Sequence, residues 1–212
     1  QGIGVKELVN AGYAVMPEIK VIDAITVLGK VDGAKYSELY NKIYTNIKLW
    51  NLALDVVRWH NSAGLLIFTE RKEVCLGLGE FLVLNGIRAT VSHGTMPHKD
   101  RLQALDDFKK GKIDVLITTT ILDEGIDVPA VSGVMFMTTG KSVVRIMQRI
   151  GRGVRRDNGK NGKNGKNSVK VYEYVVDSKY CKKHLFQRME LYVKEGFNRS
   201  VWKWDNGKFL EV

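Results

Sequence analysis

Five short apolar segments alternate with helix-like segments, and this alternation constrains the fold more than any other feature of the chain. The apolar segments are residues 65–68, 87–91, 113–118, 133–137 and 169–176. Helical patterns occur at residues 72–84, 97–110, 142–150 and 179–194. Parallel strands need crossover connections and are usually covered on both faces, so they are nearly continuously apolar. The sequence therefore predicts an α/β fold with a doubly wound parallel sheet over residues 61–195.

The flanking segments have weaker patterns. Residues 19–28 are rich in β-branched side chains and predict a strand, and residues 36–59 predict one long helix with a single buried face. We assign residues 1–60 to a connector of one strand and one helix, and residues 196–212 to a tail packed on the domain. Trp202 and Trp204 fall on the same side of any strand, which favours core packing over base stacking.

Composition excludes several classes of protein. The chain has 212 residues, enough for one domain with an extension, and no apolar stretch approaches the roughly 18 residues of a membrane helix. Cys75 and Cys181 lie far apart in the sequence, which argues against a disulfide scaffold or a zinc cluster. We expect reduced thiols, no metal site and a cytoplasmic location. Because the chain opens without methionine, we expect a fragment.

Positive charge is concentrated in one segment. The formal net charge is +10, and residues 141–166 hold nine Lys or Arg against one acid, which gives +8 within that segment. Such a concentration suits the phosphates of a nucleotide or a nucleic acid. The alternative is a solvated basic surface. Within this segment, the repeat GKNGKNGKN at residues 159–167 predicts an exposed linker, whose lysines offer at most loose phosphate contacts.

Two loops carry the candidate chemistry, since ligands of open α/β sheets bind beyond the carboxyl ends of strands. Residues 118–129 read TTTILDEGIDVP, in which hydroxyls can hold phosphate, Gly125 permits close backbone approach and Asp127 can accept from a ribose hydroxyl. A structural turn before Pro129, without any ligand, is an alternative interpretation of the same residues. Residues 148–156 read QRIGRGVRR, with four arginines in eight positions, and guanidinium groups match phosphate oxygens in fork geometry.

These loops resemble motifs V and VI of the superfamily-2 helicases and translocases. LLIFTER at residues 65–71 resembles motif IV, and SHGTMPHKDR at residues 92–101 resembles the His-Gly segment that ends in arginine. Residues 8–22 resemble the connector that follows the first motor domain in phage and repair-type DNA helicases. The resemblance implies a RecA-like fold, similar to P-loop NTPases, and the second of two motor domains. The phosphate loop and acidic box of a first domain are not found in this sequence.

The resemblance also implies a role for each matching position. Arg152 and Arg155 correspond to arginine fingers, and Gln148 to a sensor of the γ-phosphate. The remaining assignments are Gly125 and Asp127 for ATP, Glu124 and Arg149 for coupling, and Thr69, Gly94, Arg101 and Thr119 for the nucleic-acid backbone. ATP and Mg²⁺ are expected to be held mainly by the first RecA-like domain of the same polypeptide, with no membrane partner.

Three alternatives remain at this stage. Motif VI begins with Gln148 instead of the histidine of the DEAD-box branch, which favours DNA over RNA without excluding RNA. A non-enzymatic nucleic-acid-binding or regulatory RecA-like module would keep the same basic surface. A self-contained P-loop enzyme is disfavoured, because Met135 stands where the phosphate loop ending at Lys141 would need glycine. His93 is expected to pack within its loop.

Overall fold

The central feature of the computed structural model, which describes residues 16–33, 35–119, 131–138 and 168–212, is one eight-stranded sheet. Its strands are β1 Met16–Asp23, β2 Leu65–Thr69, β3 Ala89–Ser92, β4 Val115–Thr118, β5 Gly133–Met137, β6 Ser168–Val175, β7 Asn198–Asp205 and β8 Lys208–Glu211. The order across the sheet is β3-β4-β2-β5-β6-β1-β7-β8, and every neighbouring pair is parallel except β7 and β8. The predicted α/β, RecA-like fold class is confirmed.

Helices cover both faces of this sheet. They are α1 Ile25–Leu28, α2 Tyr36–Tyr44, α3 Ile47–His60, α4 Lys72–Leu84, α5 His98–Lys109 and α6 Lys179–Lys194. Helices α2, α3 and α4 bury apolar side chains in the core on one face, whereas α5 and most of α6 pack into the core on the other. The bounds predicted for α4 and α6 are confirmed, and the helix predicted at residues 142–150 lies outside the described residues.

The single helix predicted at residues 36–59 is wrong, because two helices occupy this segment. Helix α2 ends before Thr45, and the side chain of Asn46 caps α3 by accepting from the backbone N–H of Lys48 at 2.9 Å. Asparagine competes for backbone hydrogen bonds in this way, so it favours a helix start over a helix interior. The periodicity continued across the break because both helices pack against the same core.

The strand predicted at residues 19–28 is correct only in its first half. Strand β1 ends at Asp23, whose carboxylate accepts from the backbone N–H of Ile25 at 2.8 Å and starts the single turn α1. Strand β1 lies between β6 and β7 and pairs with β6 along its whole length. The division of the chain at residues 60 and 195 stays a prediction, and both flanking segments contribute strands to the common sheet.

The hairpin β7–β8 packs its tryptophans against the sheet and α3. Trp202 lies 4.7 Å from Trp59 between ring centroids, and the Trp204 indole donates to Asp55 at 3.0 Å. The ammonium group of Lys20 lies 4.3 Å from the centroid of the Trp202 ring, within the range of a cation–π contact. Core packing of Trp202 and Trp204 on one side of the strand is confirmed.

Candidate functional site

The carboxyl ends of four adjacent parallel strands bring hydroxyl side chains together at one edge. Ser92 ends β3, Thr118 ends β4, Thr69 ends β2 and Thr138 follows β5. The strand register aligns Ser92 with Thr118, and Thr69 with Met137 beside Thr138. We call these four residues the hydroxyl row. All four are buried, so their hydroxyl groups lie beneath the surface of this edge.

Two of the predicted nucleic-acid contacts lie within or beside this row. The hydroxyl of Thr69 lies 3.5 Å from the carbonyl oxygen of Thr118, to which it donates. The backbone N–H of Thr119 donates to the carbonyl of Ser92 at 3.2 Å, which ties the end of β4 to the end of β3. The structure therefore brings Thr69 and Thr119 to the same part of the edge, although they are fifty positions apart in the sequence.

The loop after β3 places the other two predicted contacts. Gly94 is exposed, and the backbone N–H of Arg101 donates to the carbonyl of Pro97 at 3.2 Å in the first turn of α5. His93 is buried, and its Nδ1 atom lies 3.0 Å from the hydroxyl oxygen of Thr95. Burial, and then the charge of Lys72, lowers the pKa of His93. The expectation that His93 packs within its loop is confirmed.

Two buried polar atoms in this stretch have no hydrogen-bond partner among the residues that the structure describes. They are the hydroxyl oxygen of Ser92 and the Nε atom of Arg101. An unsatisfied buried polar group costs about 1–3 kcal/mol, so native proteins seldom leave one without a reason such as a ligand. Both atoms are donors, which an oxyanion such as phosphate can satisfy. Ser92 had not been singled out from the sequence, because its burial depends on the sheet.

A second cluster, which sequence reasoning missed, joins α2 to the ends of β2 and β5. The hydroxyl of Tyr40 accepts from the backbone N–H of Glu70 at 2.9 Å and donates to the carbonyl of Met137 at 3.4 Å. One carboxylate oxygen of Glu70 accepts from the hydroxyls of Tyr36 and Thr138, the latter at 3.2 Å. We call these five residues the Tyr40–Glu70 junction. The only sequence signal for this cluster was the four-residue spacing of Tyr36, Tyr40 and Tyr44, which places them on one face of a helix.

Burial affects the protonation of the Tyr40 hydroxyl. It is the main cause that raises the pKa of Tyr40 well above the ordinary tyrosine value, so the hydroxyl stays protonated and able to donate. The guanidinium of Arg71 lies 5.1 Å from the Tyr40 ring centroid and donates to Asn41 at 2.9 Å. The loop after β2 is thus held to α2 at both Glu70 and Arg71.

The residues predicted to act on ATP lie outside the described part of the chain. These are Glu124, Gly125, Asp127, Gln148, Arg149, Arg152 and Arg155. Thr119 directly precedes the segment with the first three, and Thr138 stands directly before Thr139, where the segment with the other four begins. Their roles stay predictions, and the structure fixes only the strand ends from which both segments start.

Within the described ranges, no three His, Cys, Asp or Glu side chains form a cluster able to hold a metal ion. No helix in the same part of the chain is long and apolar enough to cross a bilayer. Cys75 and Cys181 are both buried, and neither is part of a disulfide.

Comparison with known protein families assigns the domain that carries the hydroxyl row to a family. A family model described as the helicase conserved C-terminal domain matches residues 48–157, which is 110 of 212 residues. The chain belongs to the family of the helicase conserved C-terminal domain. The match extends from α3 to the basic segment and includes the hydroxyl row. The domain identified by resemblance to motifs IV, V and VI is therefore confirmed as to family.

Solved structures share the fold of this helicase C-terminal domain. The C-terminal domain of S. cerevisiae Dbp5, bound to Gle1 and IP6, matches with a TM-score of 0.58 and 19% identity over 89% of this chain and 90% of that chain. T4 UvsW matches with a TM-score of 0.65 and 18% identity over 88% of this chain and 41% of that one. Mycobacterium smegmatis Lhr, bound to ssDNA and AMP-PNP, matches with a TM-score of 0.57 and 21% identity over 84% of this chain and 22% of that chain. The chain thus spans under half of the two longer proteins.

Proposed function

We propose that this helicase C-terminal domain is the second motor domain of an ATP-dependent helicase or translocase. In this role it holds the backbone of a nucleic acid along the carboxyl edge of β3, β4 and β2. It also supplies Arg152 and Arg155 to ATP that a first RecA-like domain binds together with Mg²⁺. The observation that carries the proposal is the pair of unsatisfied buried donors, Ser92 Oγ and Arg101 Nε, at the edge with the predicted backbone contacts.

Backbone recognition fits the groups at this edge. Hydroxyls, backbone N–H groups and a guanidinium all donate to phosphate oxygens, and such contacts give affinity with little sequence preference. Gly94 is exposed and has no side chain, so a phosphate can approach the backbone of its loop closely. The edge therefore supports a sequence-tolerant grip on one strand.

In this proposal, ATP-dependent closing and opening of the two motor domains moves the protein along the nucleic acid. ATP binding brings the two domains together, so that Arg152 and Arg155 stabilise charge on the transferring phosphoryl group, and hydrolysis releases them. We assign Gln148 to sensing the γ-phosphate, Gly125 and Asp127 to binding the nucleotide on its sugar side, and Glu124 and Arg149 to coupling nucleotide state to the nucleic acid. Because each domain grips the backbone separately, opening and closing move one grip relative to the other.

We propose DNA as the substrate because Gln148 begins motif VI. The relatives leave the choice to experiment, since Lhr was solved with ssDNA and a longer Dbp5 chain with RNA and ADP BeF3. The direct comparison is the affinity of this chain for fluorescent single strands of DNA and RNA with the same sequence.

The affinity for single-stranded nucleic acid, measured at several salt concentrations, tests whether the carboxyl edge of β3, β4 and β2 binds the backbone. We expect weak binding by the 212-residue chain, and Arg101→Ala should weaken it about tenfold, equivalent to about 1.4 kcal/mol. The slope of log affinity against log salt should fall by about 0.7 if one single-strand phosphate contact is lost. Arg88→Ala is the matched control, because Arg88 precedes β3 at the opposite edge and pairs with Asp114 at 2.6 Å. Equal losses in the two variants would contradict the proposed edge.

ATP turnover by the polypeptide that carries both motor domains tests whether Arg152 and Arg155 act as arginine fingers. We expect Arg152→Ala or Arg155→Ala to lower turnover by about 10³-fold or more while nucleic-acid affinity is kept, because an arginine finger acts on the transition state. Wild-type turnover in either variant would overturn the finger assignment. Nucleic-acid binding without turnover in the wild-type protein would instead establish the non-enzymatic module. Robust turnover by the 212 residues alone would support a self-contained enzyme.

A further inference from the structure

The Tyr40–Glu70 junction joins the two parts of the chain that the proposed function uses separately. Glu70 directly follows Thr69, a predicted contact to the nucleic-acid backbone. Thr138, whose hydroxyl donates to the Glu70 carboxylate at 3.2 Å, stands directly before Thr139, where the segment with Gln148, Arg152 and Arg155 begins. Strands β2 and β5 are also neighbours in the sheet, with Thr69 aligned to Met137. The side chain of Glu70 therefore connects the predicted nucleic-acid contact at Thr69 to the strand end at Thr138, after which the segment with Arg152 and Arg155 begins.

The charge of Glu70 makes this connection sensitive to a bound phosphate. A carboxylate beside a phosphate-binding threonine repels the phosphate, and the repulsion decreases when hydroxyl donors hold the carboxylate elsewhere. Tyr36 and Thr138 are such donors, and both act on the same carboxylate oxygen. A phosphate at Thr69 therefore favours the arrangement in which Glu70 is held against Tyr36 and Thr138.

The backbone of the same residue is anchored as well. The N–H of Glu70 donates to the hydroxyl of Tyr40, which in turn donates to the carbonyl of Met137. Tyr40 is almost fully buried, and α2 packs into the core around it. The backbone of the loop after β2 is thus connected to the end of β5 through the hydroxyl of Tyr40.

We propose that Glu70 is a positioning residue that couples nucleic-acid binding at Thr69 to the segment beginning after Thr138. The inference rests on the proposed function and adds the route by which a bound strand stimulates ATP turnover. Glu70 itself touches neither the nucleotide nor the reacting phosphate. Coupling between two sites amounts typically to 5–150-fold, and we assign at least the lower part of this range to the junction.

The decisive quantity is the ratio of ATP turnover with saturating single-stranded DNA to turnover without it, in the polypeptide with both motor domains. Glu70→Gln keeps the shape of the side chain and removes its charge, and we expect it to lower this ratio about fivefold or more. Thr138→Val should lower the ratio similarly, and the double variant should lower it no further, since both changes act on the Thr138–Glu70 hydrogen bond. Glu73→Gln, at an exposed carboxylate in the first turn of α4, should keep the wild-type ratio.

The controls separate coupling from a structural role. Affinity for DNA is measured for each variant, and thermal unfolding of the 212-residue chain verifies that each variant folds. If saturating DNA gives Glu70→Gln the wild-type ratio, Glu70 only fastens α2 to the sheet and the inference is overturned. A stimulated wild-type protein with an unaffected variant overturns this inference alone. A wild-type protein that DNA does not stimulate overturns the inference and the proposed function together.

Discussion

The buried ion pair between β6 and α6 gives a stability prediction that can be worked out from distances. The carboxylate of Glu173 accepts from Arg188 Nε at 2.8 Å, from Arg188 Nη2 at 2.9 Å and from the hydroxyl of Tyr192 at 2.6 Å. Glu173 and Arg188 are 1% and 3% exposed, so water cannot replace a lost partner. Burial by itself lowers the pKa of Arg188, and the Glu173 carboxylate more than reverses this effect.

Glu173→Leu removes the carboxylate at similar volume and takes two charge-assisted hydrogen bonds from the buried guanidinium of Arg188. Breaking a buried pair by deleting one partner costs about 3–5 kcal/mol in the free energy of unfolding. For a chain of this length, about 2–4 °C of melting temperature corresponds to each kcal/mol, so the loss should be about 6–20 °C. Burial and the Glu173 carboxylate also raise the pKa of Tyr192, which loses its acceptor in the same variant.

Urea unfolding of the 212-residue chain, followed by circular dichroism, measures the change. Adding Arg188→Met and Tyr192→Phe to Glu173→Leu should recover most of the loss, because no buried polar group of the three then lacks a partner. Glu38→Gln, in the exposed pair of Glu38 and Lys42, should change the free energy of unfolding by under about 0.5 kcal/mol. A single-variant loss below about 1 kcal/mol would refute the reasoning, as would a triple variant less stable than the single one.

Two further predictions concern other buried positions. Gly133→Ala should lower the free energy of unfolding by about 1–3 kcal/mol in urea titrations, since the added Cβ would lie 2.5 Å from His60 Cε1 and disturb the contact of His60 with Tyr172; unchanged stability would contradict the packing. Burial raises the pKa of the Cys75 thiol to about 11, so a thiolate-specific reagent should label the native chain slowly at pH 8 and faster as the pH approaches 11. Rapid labelling of Cys75 in the native chain at pH 8 would show that the thiol is accessible.

Local patterns were sufficient to predict much of the fold. The apolar segments at residues 65–68 and 133–137 and the helices at residues 72–84 and 179–194 lie where the sequence predicts them. Nearly continuous apolar strands separated by amphipathic helices have few other ways to bury their side chains. The motifs in residues 65–71 and 148–156 were specific enough to indicate the family.

The breaks in the elements depended on single hydrogen bonds. The side chain of Asn46 divides the predicted long helix. The carboxylate of Asp23 ends β1 five residues before the predicted end of the strand and starts α1 instead. Both are local contacts of short polar side chains, whose effect competes with hydrophobic periodicity and is not visible in the periodicity itself.

The sequence alone determined the alternation of strands and helices, the placement of positive charge and the family, because each depends on the order of residue types along the chain. Only the tertiary structure decided which distant residues meet. Thr69 with Thr118, Glu70 with Thr138, and Glu173 with Arg188 are contacts between elements whose pairing depends on the order of strands in the sheet. That order is fixed by the packing of all helices and strands at once, so no local pattern contains it.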